Sequence, residues 1–201
     1  LLSETKNNEA NYQKLLLDRI AQKEKFEKEL EAFEAELKFI LDPSKLPGKG
    51  VLGWPVEKVF VTSPFGPRAR GFHSGTDFRA SVGTPVMAVA DGVVGGVGDT
   101  DICCPGASFG KWVFIEHNNG LSTAYGHLSL ISSKKGQKVR RGEVIGYSGN
   151  TGSSTGPHLH LTVYVADGVK VSSFASKSYP GKTLFQPIAA KNAYLDPMYY
   201  L

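Results

Sequence analysis

Beyond Trp54 the sequence consists of short β-branched and apolar runs separated by Gly, Asn and Asp, and this pattern constrains the fold most. Such runs have the length and composition of β-strands. No helical periodicity interrupts the series, so it predicts an all-β domain of mostly antiparallel strands. The predicted strands are Pro85–Ala90, Gly92–Val97, Lys111–His117, Leu121–Tyr125, Val139–Tyr147, His158–Val165 and Val169–Phe174.

The dipeptide Asn119-Gly120 lies between two of these runs. Both residues tolerate positive φ, so the pair predicts a hairpin turn. Residues 167–190 are rich in Ser, Lys, Gly and Pro and are interpreted as an insertion before the last elements of the domain.

Residues 4–41 have a different pattern, that of one long helix. Apolar residues at its C-terminal half follow the 4, 3, 4, 3 spacing of a heptad repeat, and Glu and Lys dominate the other faces. These residues are Phe26, Leu30, Phe33, Leu37 and Ile40. The repeat is interrupted by Arg19 and Lys23, and the helix is expected to stop at Asp42-Pro43 because proline disfavours helical geometry in the preceding residue.

These patterns divide the chain into a coiled-coil helix (1–42), a linker rich in Pro, Gly and Lys (43–53) and a β-domain (54–201). A long helix cannot bury its apolar stripe alone. Two hypotheses remain open: residues 4–41 meet a partner helix or a second copy of the chain, or they dock on the β-domain of the same chain.

The net charge of +4 is unevenly distributed, since residues 1–42 are net acidic and the remainder is net basic. A basic domain favours anionic partners such as nucleic acid, lipid headgroups or an acidic wall polymer. Basic residues do not alternate with aromatic residues along the strands, which argues against nucleic acid. The adjacent Cys103 and Cys104 are interpreted as loop thiols or a local vicinal disulfide. The chain begins with Leu1, and we expect that a signal or anchor preceded it.

Four of the five histidines lie in contexts that suggest chemistry. His73 and Asp77 flank a turn that can bring an imidazole and a carboxylate around one ion, and both are good Zn²⁺ ligands. The alternative for this pair is a chance surface arrangement. His158 and His160 open a predicted strand and point to the same face, while Leu159 points to the other. One of these imidazoles can bind a metal while the other donates a proton, although a plain polar strand face is the alternative.

His127 ends the sequence Tyr125-Gly126-His127 and is expected in phase with Tyr125. Its alternative interpretation is a histidine at the edge of the domain that bonds to a carbonyl. Tyr125 can orient His127 or pack within the sheet, and packing is favoured. His117 precedes the Asn-Gly turn and is interpreted as a turn residue.

Taken in order, the three histidine motifs resemble those of the lysostaphin/LytM-type zinc endopeptidases. The segments between them agree with this resemblance, which covers residues 54–165. They are Ser63–Arg68 (SPFGPR), Gly83–Val86 (GTPV), Ala90–Val94 (ADGVV), Gly142–Gly146 (GEVIG), Gly149–Gly152 (GNTG) and Ser154–His158 (STGPH).

The resemblance implies a barrel-sandwich or antiparallel-sheet domain, with the family's duplicated hybrid motif, behind the N-terminal helix. It implies one zinc ion per chain, held by His73, Asp77 and His160, and a catalytic pair formed by His127 and His158. Three protein ligands leave the fourth position open for water, as in catalytic zinc sites. The implied activity is hydrolysis of peptide bonds in bacterial peptidoglycan, outside the cytoplasm.

A different function is expected if the domain is a catalytically silent or autoinhibited regulator that activates other wall hydrolases through its coiled coil. The presence of all five site residues favours catalysis. The bond that is cleaved stays open, because specificity is expected in loops such as residues 98–110 and 167–190.

Overall fold

The computed structural model describes the backbone of residues 2–68 and 71–201 and the side chains of residues 9–68 and 71–201. Within these residues the chain forms two α-helices, α1 (Leu2–Glu36) and α2 (Pro197–Tyr200), and a series of strands. The strands are β1 (Val61–Ser63), β2 (Gly66–Arg68), β3 (Gly71–His73), β4 (Thr76–Arg79), β5 (Pro85–Met87), β6 (Gly92–Asp99), β7 (Lys111–His117), β8 (Leu121–Ile131), β9 (Lys138–Val139), β10 (Val144–Ser148), β11 (His158–Val165), β12 (Val169–Ser176), β13 (Lys182–Ala189) and β14 (Tyr194–Leu195).

Ten of these strands form one sheet in which the long strand β8 is central. The order along the sheet is β1-β4-β11-β8-β7-β6-β9, while β10 joins β8 to β5 and β14 extends β11. All of these pairings are antiparallel. Strands β12 and β13 form a separate hairpin, as do β2 and β3. The predicted mainly-β, antiparallel fold class is confirmed.

Two strands match their predicted bounds, and the main differences in the others have local causes. Strands β7 and β11 begin and end at the predicted residues, and a turn with Gly120 at φ +83° joins β7 to β8. Strand β8 continues past Tyr125 because β10 pairs with its second half. The predicted strand Val139–Tyr147 is wrong in its middle, where a turn with Gly142 at φ +84° separates β9 from β10. The hairpin β12–β13 lies entirely within the predicted insertion at 167–190.

Side chains alternate between the two faces of the central strands, and each face has its own core. Phe78, Tyr125 and Leu159 belong to the larger cluster, which is fully buried on one face. Trp112 and Tyr164 belong to a second cluster on the other face. The functional side chains of β11 share the face of Tyr164.

Helix α1 ends at Glu36, so the predicted helix end at Asp42 is wrong. Phe39 and Leu41 leave the helix to pack against the second core cluster, and the Asn192 side chain donates a hydrogen bond to the Phe39 carbonyl. Ile40, the last position of the predicted heptad repeat, is consequently 93% exposed. Tertiary contacts of these residues override the helical pattern.

The C-terminal half of α1 docks on the β-domain of the same chain. Phe26 is buried against Phe174 and Tyr179 beside the β12–β13 hairpin. The N-terminal half is different, since its apolar side chains, such as Tyr12 and Leu16, are exposed. No helix in the described part of the chain has the length and apolar character to cross a membrane.

Candidate metal centre

Strands β3, β4 and β11 bring three of the predicted site residues together. Asp77 and His160 lie directly opposite each other in the β4–β11 pair. His73 ends β3, and the tight turn at Ser74 and Gly75 returns the chain into β4. All three side chains are largely buried. One turn thus brings His73 next to Asp77, four residues later, and one strand pairing brings His160 next to Asp77, 83 residues earlier.

The ligand atoms of these residues converge on one point. His73 Nε2 and His160 Nδ1 lie 3.1 Å and 2.8 Å from Asp77 Oδ1, and the two nitrogens are 3.2 Å apart. Tetrahedral zinc with bonds of 2.0–2.1 Å requires ligand atoms about 3.3 Å apart. The three residues therefore form a group that can hold a metal ion, with little change in their positions.

The other ring nitrogen of each of these histidines is already engaged. His73 Nδ1 donates to the Pro64 carbonyl over 2.8 Å, and His160 Nε2 lies 2.9 Å from Thr162 Oγ1. Such outer hydrogen bonds fix the tautomer and the ring orientation of metal-binding histidines. Both rings are therefore held with the free nitrogen directed at Asp77.

The surroundings of Asp77 favour its ionised form. Burial alone would raise its pKa, but hydrogen bonds with His160 and His73 lower the pKa well below its usual range. Arg68 also lies 3.3 Å from Asp77 Oδ2. An ionised carboxylate beside two imidazoles is the donor set that a divalent transition metal prefers.

His127 enters the site through a distortion of β8. Two steps along β7, from Lys111 to Val113, lie opposite three steps along β8, from Leu128 to Tyr125, and His127 adopts φ +61°. A bulge of this kind redirects a side chain. The prediction that His127 lies in phase with Tyr125 is therefore wrong: Tyr125 is in the core of the opposite face, whereas the His127 ring is 5.7 Å from the His160 ring.

His127 and His158 form a pair beside the three-residue group, with ring centroids 4.6 Å apart. Nδ1 of His127 bonds to the Thr151 carbonyl at 2.8 Å, and Nδ1 of His158 bonds to the Gly156 carbonyl at 2.7 Å. Since a carbonyl only accepts, both rings donate through Nδ1 and keep Nε2 available. Nε2 of His158 lies 3.6 Å from Asp77 Oδ1.

The environment of His127 favours its uncharged form. Burial lowers its pKa to about 3, and the charges of His160 and His158 act in the same direction. An uncharged imidazole that donates through Nδ1 can accept a proton at Nε2.

Tyr125 and His117 lie outside this site. The Tyr125 hydroxyl accepts a hydrogen bond from the Val89 amide at 2.9 Å, so the packing role predicted for Tyr125 is confirmed. His117 is buried, and its ring lies 2.9 Å from both the Asp91 carbonyl and Thr123 Oγ1. These contacts give His117 a structural role at the end of β7.

The five site residues line one cavity of about 750 Å³, and helix α1 forms the facing wall. Lys23 contacts the Ser153 carbonyl at 3.5 Å, and Ser153 Oγ donates to Glu27 at 3.1 Å. The cleft that a substrate would enter is therefore covered by the helix in this structure.

The sequence patterns did not indicate the residues that orient the histidines. Thr162 could have been found, because it follows His160 by two positions and so shares its strand face. The carbonyls of Pro64, Thr151 and Gly156 carry no side-chain signal, and only the fold reveals their role.

Comparisons with known proteins agree with this geometry. The profile of peptidase family M23 matches residues 71–173, which include all five site residues. Peptidoglycan DD-endopeptidase ShyA of Vibrio cholerae is 44% identical over 130 residues, covering 63% of this chain and 29% of ShyA. The chain thus spans less than a third of the length of this relative.

Two solved structures share the fold. A zinc-containing peptidase from Vibrio cholerae superposes with a TM-score of 0.54 at 31% identity, over 75% of this chain and 40% of that one. The catalytic domain of lysostaphin from Staphylococcus simulans superposes with a TM-score of 0.52 at 28% identity, over 70% and 90%. Since the family profile covers half of the sequence and the histidine motifs meet in one site, the chain belongs to peptidase family M23.

Proposed function

We propose that this chain is a zinc-dependent endopeptidase that hydrolyses peptide bonds of bacterial peptidoglycan. The observation that carries the proposal is the convergence of His73 Nε2, Asp77 Oδ1 and His160 Nδ1 at mutual distances of 2.8–3.2 Å. Two further histidines beside this group supply what a hydrolase needs in addition to a metal.

His73, Asp77 and His160 would hold one zinc ion per chain. When bound, zinc supplies a Lewis acid that lowers the pKa of a water molecule and polarises the peptide carbonyl. His127 and His158 hold Nδ1 on backbone carbonyls and leave Nε2 for proton transfer. One of the two takes the proton of the attacking water, and the other stabilises the oxyanion or protonates the departing amine.

The substrate proposed is the cross-linked stem peptide of the cell wall. ShyA, a relative in the same family, is a peptidoglycan DD-endopeptidase. This favours the D,D-peptide bond of the cross-link over glycine bridges. A hydrolase of this polymer acts outside the cytoplasm, which is the location we propose.

The regulator without activity is the weaker alternative, since all five site residues are present and oriented. The position of α1 along the cavity instead supports an enzyme that is inhibited by its own helix. Release of the helix would then be the step that permits hydrolysis.

We further propose that the exposed half of α1 meets a partner helix or a second copy of the chain. Tyr12, Leu16 and Ile20 follow helical spacing, and each is at least 42% exposed. A sedimentation measurement that finds only monomers, and no binding of a partner helix, would argue against this. The division into an N-terminal segment of residues 1–42, which contains α1, a linker of 43–53 and an endopeptidase domain of 54–201 belongs to the same proposal.

The proposed activity can be tested with the purified full chain. After reconstitution with zinc it should convert cross-linked muropeptide dimers to monomers, which mass spectrometry identifies. A chelator should stop the conversion. A zinc-loaded chain that leaves dimers of every cross-link type intact, with the helix both docked and released, would overturn the proposal.

A further inference from the structure

Helix α1 presents a row of carboxylates to the cavity wall. Glu27, Glu31 and Glu34 are spaced by four and three residues, so they lie on one face of the helix. Each accepts from a different donor on the domain: Glu27 from Ser153, Glu31 from Lys191 and Glu34 from Tyr194. The domain thus presents a set of hydrogen-bond donors along the cavity, and the carboxyl groups of the helix bind to them.

Lys191 is the cation in this set. Its Nζ lies 2.7 Å from Glu31 Oε1, and the Lys191 side chain keeps 53% of its surface exposed. In the described lining of the cavity, the β-domain contributes two basic side chains, those of Arg68 and Lys191. Arg68 contacts Asp77 and so belongs to the metal centre. Lys191 is the cation whose ion-pair partner lies on the helix.

One cavity connects the metal centre with Lys191, since its lining includes His160, Tyr194 and Lys191. In the sheet, Tyr194 lies opposite Tyr164, which is four residues along β11 from His160. Four residues of strand span about 13 Å. An extended peptide with its scissile bond at His160 would therefore reach Tyr194 and Lys191 after about four residues.

We propose that Lys191, together with the Tyr194 hydroxyl, is a subsite for a free carboxylate of the peptide substrate. Glu31 and Glu34 occupy this subsite from α1 in the helix-covered arrangement. An ammonium group and a phenol together bind a carboxylate by charge-assisted hydrogen bonds. Cross-linked stem peptides carry free carboxylates, so this inference rests on the proposed function and names the part of the substrate that is recognised.

Two variants of one ion pair test the inference. Glu31→Gln and Lys191→Met both break the pair with α1, but only Lys191→Met removes the subsite. On a synthetic cross-linked peptide with free carboxylates, Glu31→Gln should lower KM by about two- to fivefold. Lys191→Met should raise KM by about tenfold, the effect of a lost hydrogen bond to a charged group.

A peptide with carboxamides in place of the free carboxylates is the matched substrate, and Lys191→Met should lower its KM by about two- to fivefold, as Glu31→Gln does, since only the ion pair with α1 is lost. Lys170→Met, an exposed lysine on β12 away from the cavity, should behave as wild type on both peptides. The inference is overturned if Glu31→Gln and Lys191→Met shift KM for the peptide with free carboxylates in the same direction, since Lys191 would then only hold the helix. It is also overturned if Lys191→Met affects both peptides equally.

The failure of the proposed function gives a different result. If the zinc-loaded chain cleaves neither peptide, with the helix both docked and released, the endopeptidase proposal fails. The same variants are then compared with the wild-type chain by calorimetry, which measures their affinity for each of the two peptides. A loss of affinity in Lys191→Met for the carboxylate peptide alone supports the subsite, and equal affinities for both peptides contradict it.

Discussion

At the scale of residues, the site depends on backbone conformations that orient a few side chains toward the metal centre. His127 reaches the site because a non-glycine residue adopts φ +61° at a bulge in β8. The sequence motif identified His127 as a candidate, but its strand phase placed it on the wrong face. A left-handed conformation at a histidine has no signal in a single sequence, because it is imposed by pairing with β7 and by the hydrogen bond from the His127 amide to Phe109.

The division between metal-binding and proton-transfer histidines gives a first prediction. His127→Ala should reduce the rate of peptide hydrolysis by about 10²–10⁴, the usual contribution of a general acid or base. Zinc content should stay at that of the wild-type chain, since His127 is outside the converging group. Metal analysis of the purified variant checks this, and loss of zinc in His127→Ala would show that the roles are assigned wrongly.

Gly75 gives a second prediction, because its turn leaves no room for a side chain. A β-carbon at Gly75 would lie 2.7 Å from Cε1 and Nε2 of His160 and closer still to the Leu161 carbonyl. Gly75→Ala should therefore displace the His160 ring and weaken zinc binding by about tenfold or more. Gly48→Ala, where the added carbon meets open space, is the control. Equal zinc affinities of the two variants would contradict the placement of His160.

At the scale of elements, the strands were predictable and the end of the helix was not. Strands β7 and β11 follow from their β-branched and apolar composition and from the turn residues between the runs, all of which are local signals. The heptad pattern continues to Ile40, but the helix stops at Glu36 because Phe39 and Leu41 pack, partly buried, against the second core cluster. The three metal-site residues were predicted as a group from the sequence. Whether α1 docks on its own β-domain or meets a partner helix was left open.

Glu29 tests the role of the docked helix. Its carboxylate accepts hydrogen bonds from Ser176 Oγ and from the amides of Lys177 and Ser178 in the loop after β12. Glu29→Ala should release α1 and raise hydrolysis by about tenfold, as expected for lost hydrogen bonds to a charged group. Hydrogen exchange should rise over residues 22–36, with Glu36→Ala as the control. Faster exchange without higher activity would show that α1 does not restrict the site.

Glu34 makes docking of the helix depend on pH. It is buried against Tyr194, with Tyr164, Glu31 and Lys191 nearby, and burial raises its pKa from 4.5 to about 7. Below pH 4.5 the carboxyl is protonated whether the helix is docked or released, and docking is strongest. Between pH 4.5 and 7 only the docked form keeps the proton, so docking weakens progressively, by up to about 10²-fold.

Hydrogen exchange of α1 at pH 5 and pH 8, corrected for the intrinsic exchange rate, measures this effect. Protection should be lower at pH 8. Glu34→Gln, which is uncharged at both values, should remove the difference. An equal difference in Glu34→Gln would assign the pH dependence to another group.

At the scale of the whole molecule, an acidic helix lies on a basic domain across the cleft that contains the metal centre. The charge asymmetry of the sequence thus agrees with the docking of α1 on the β-domain of its own chain. The same surface that holds the helix carries the donors Ser153, Lys191 and Tyr194. The molecule is therefore a peptidase of family M23 in which the N-terminal helix covers the cavity at the metal centre.

Stepwise titration of the metal-free chain with zinc tests the central claim most directly, with hydrolysis of a cross-linked stem peptide followed at each step. It is performed on the wild-type chain and on Glu29→Ala, so that a covered groove is not mistaken for a missing site. Activity should rise linearly and stop rising at one zinc ion per chain, and the melting temperature should rise by about 5–10 °C at a hundredfold excess over Kd. Hydrolysis that is independent of zinc, or no zinc retained by either protein, would contradict the account.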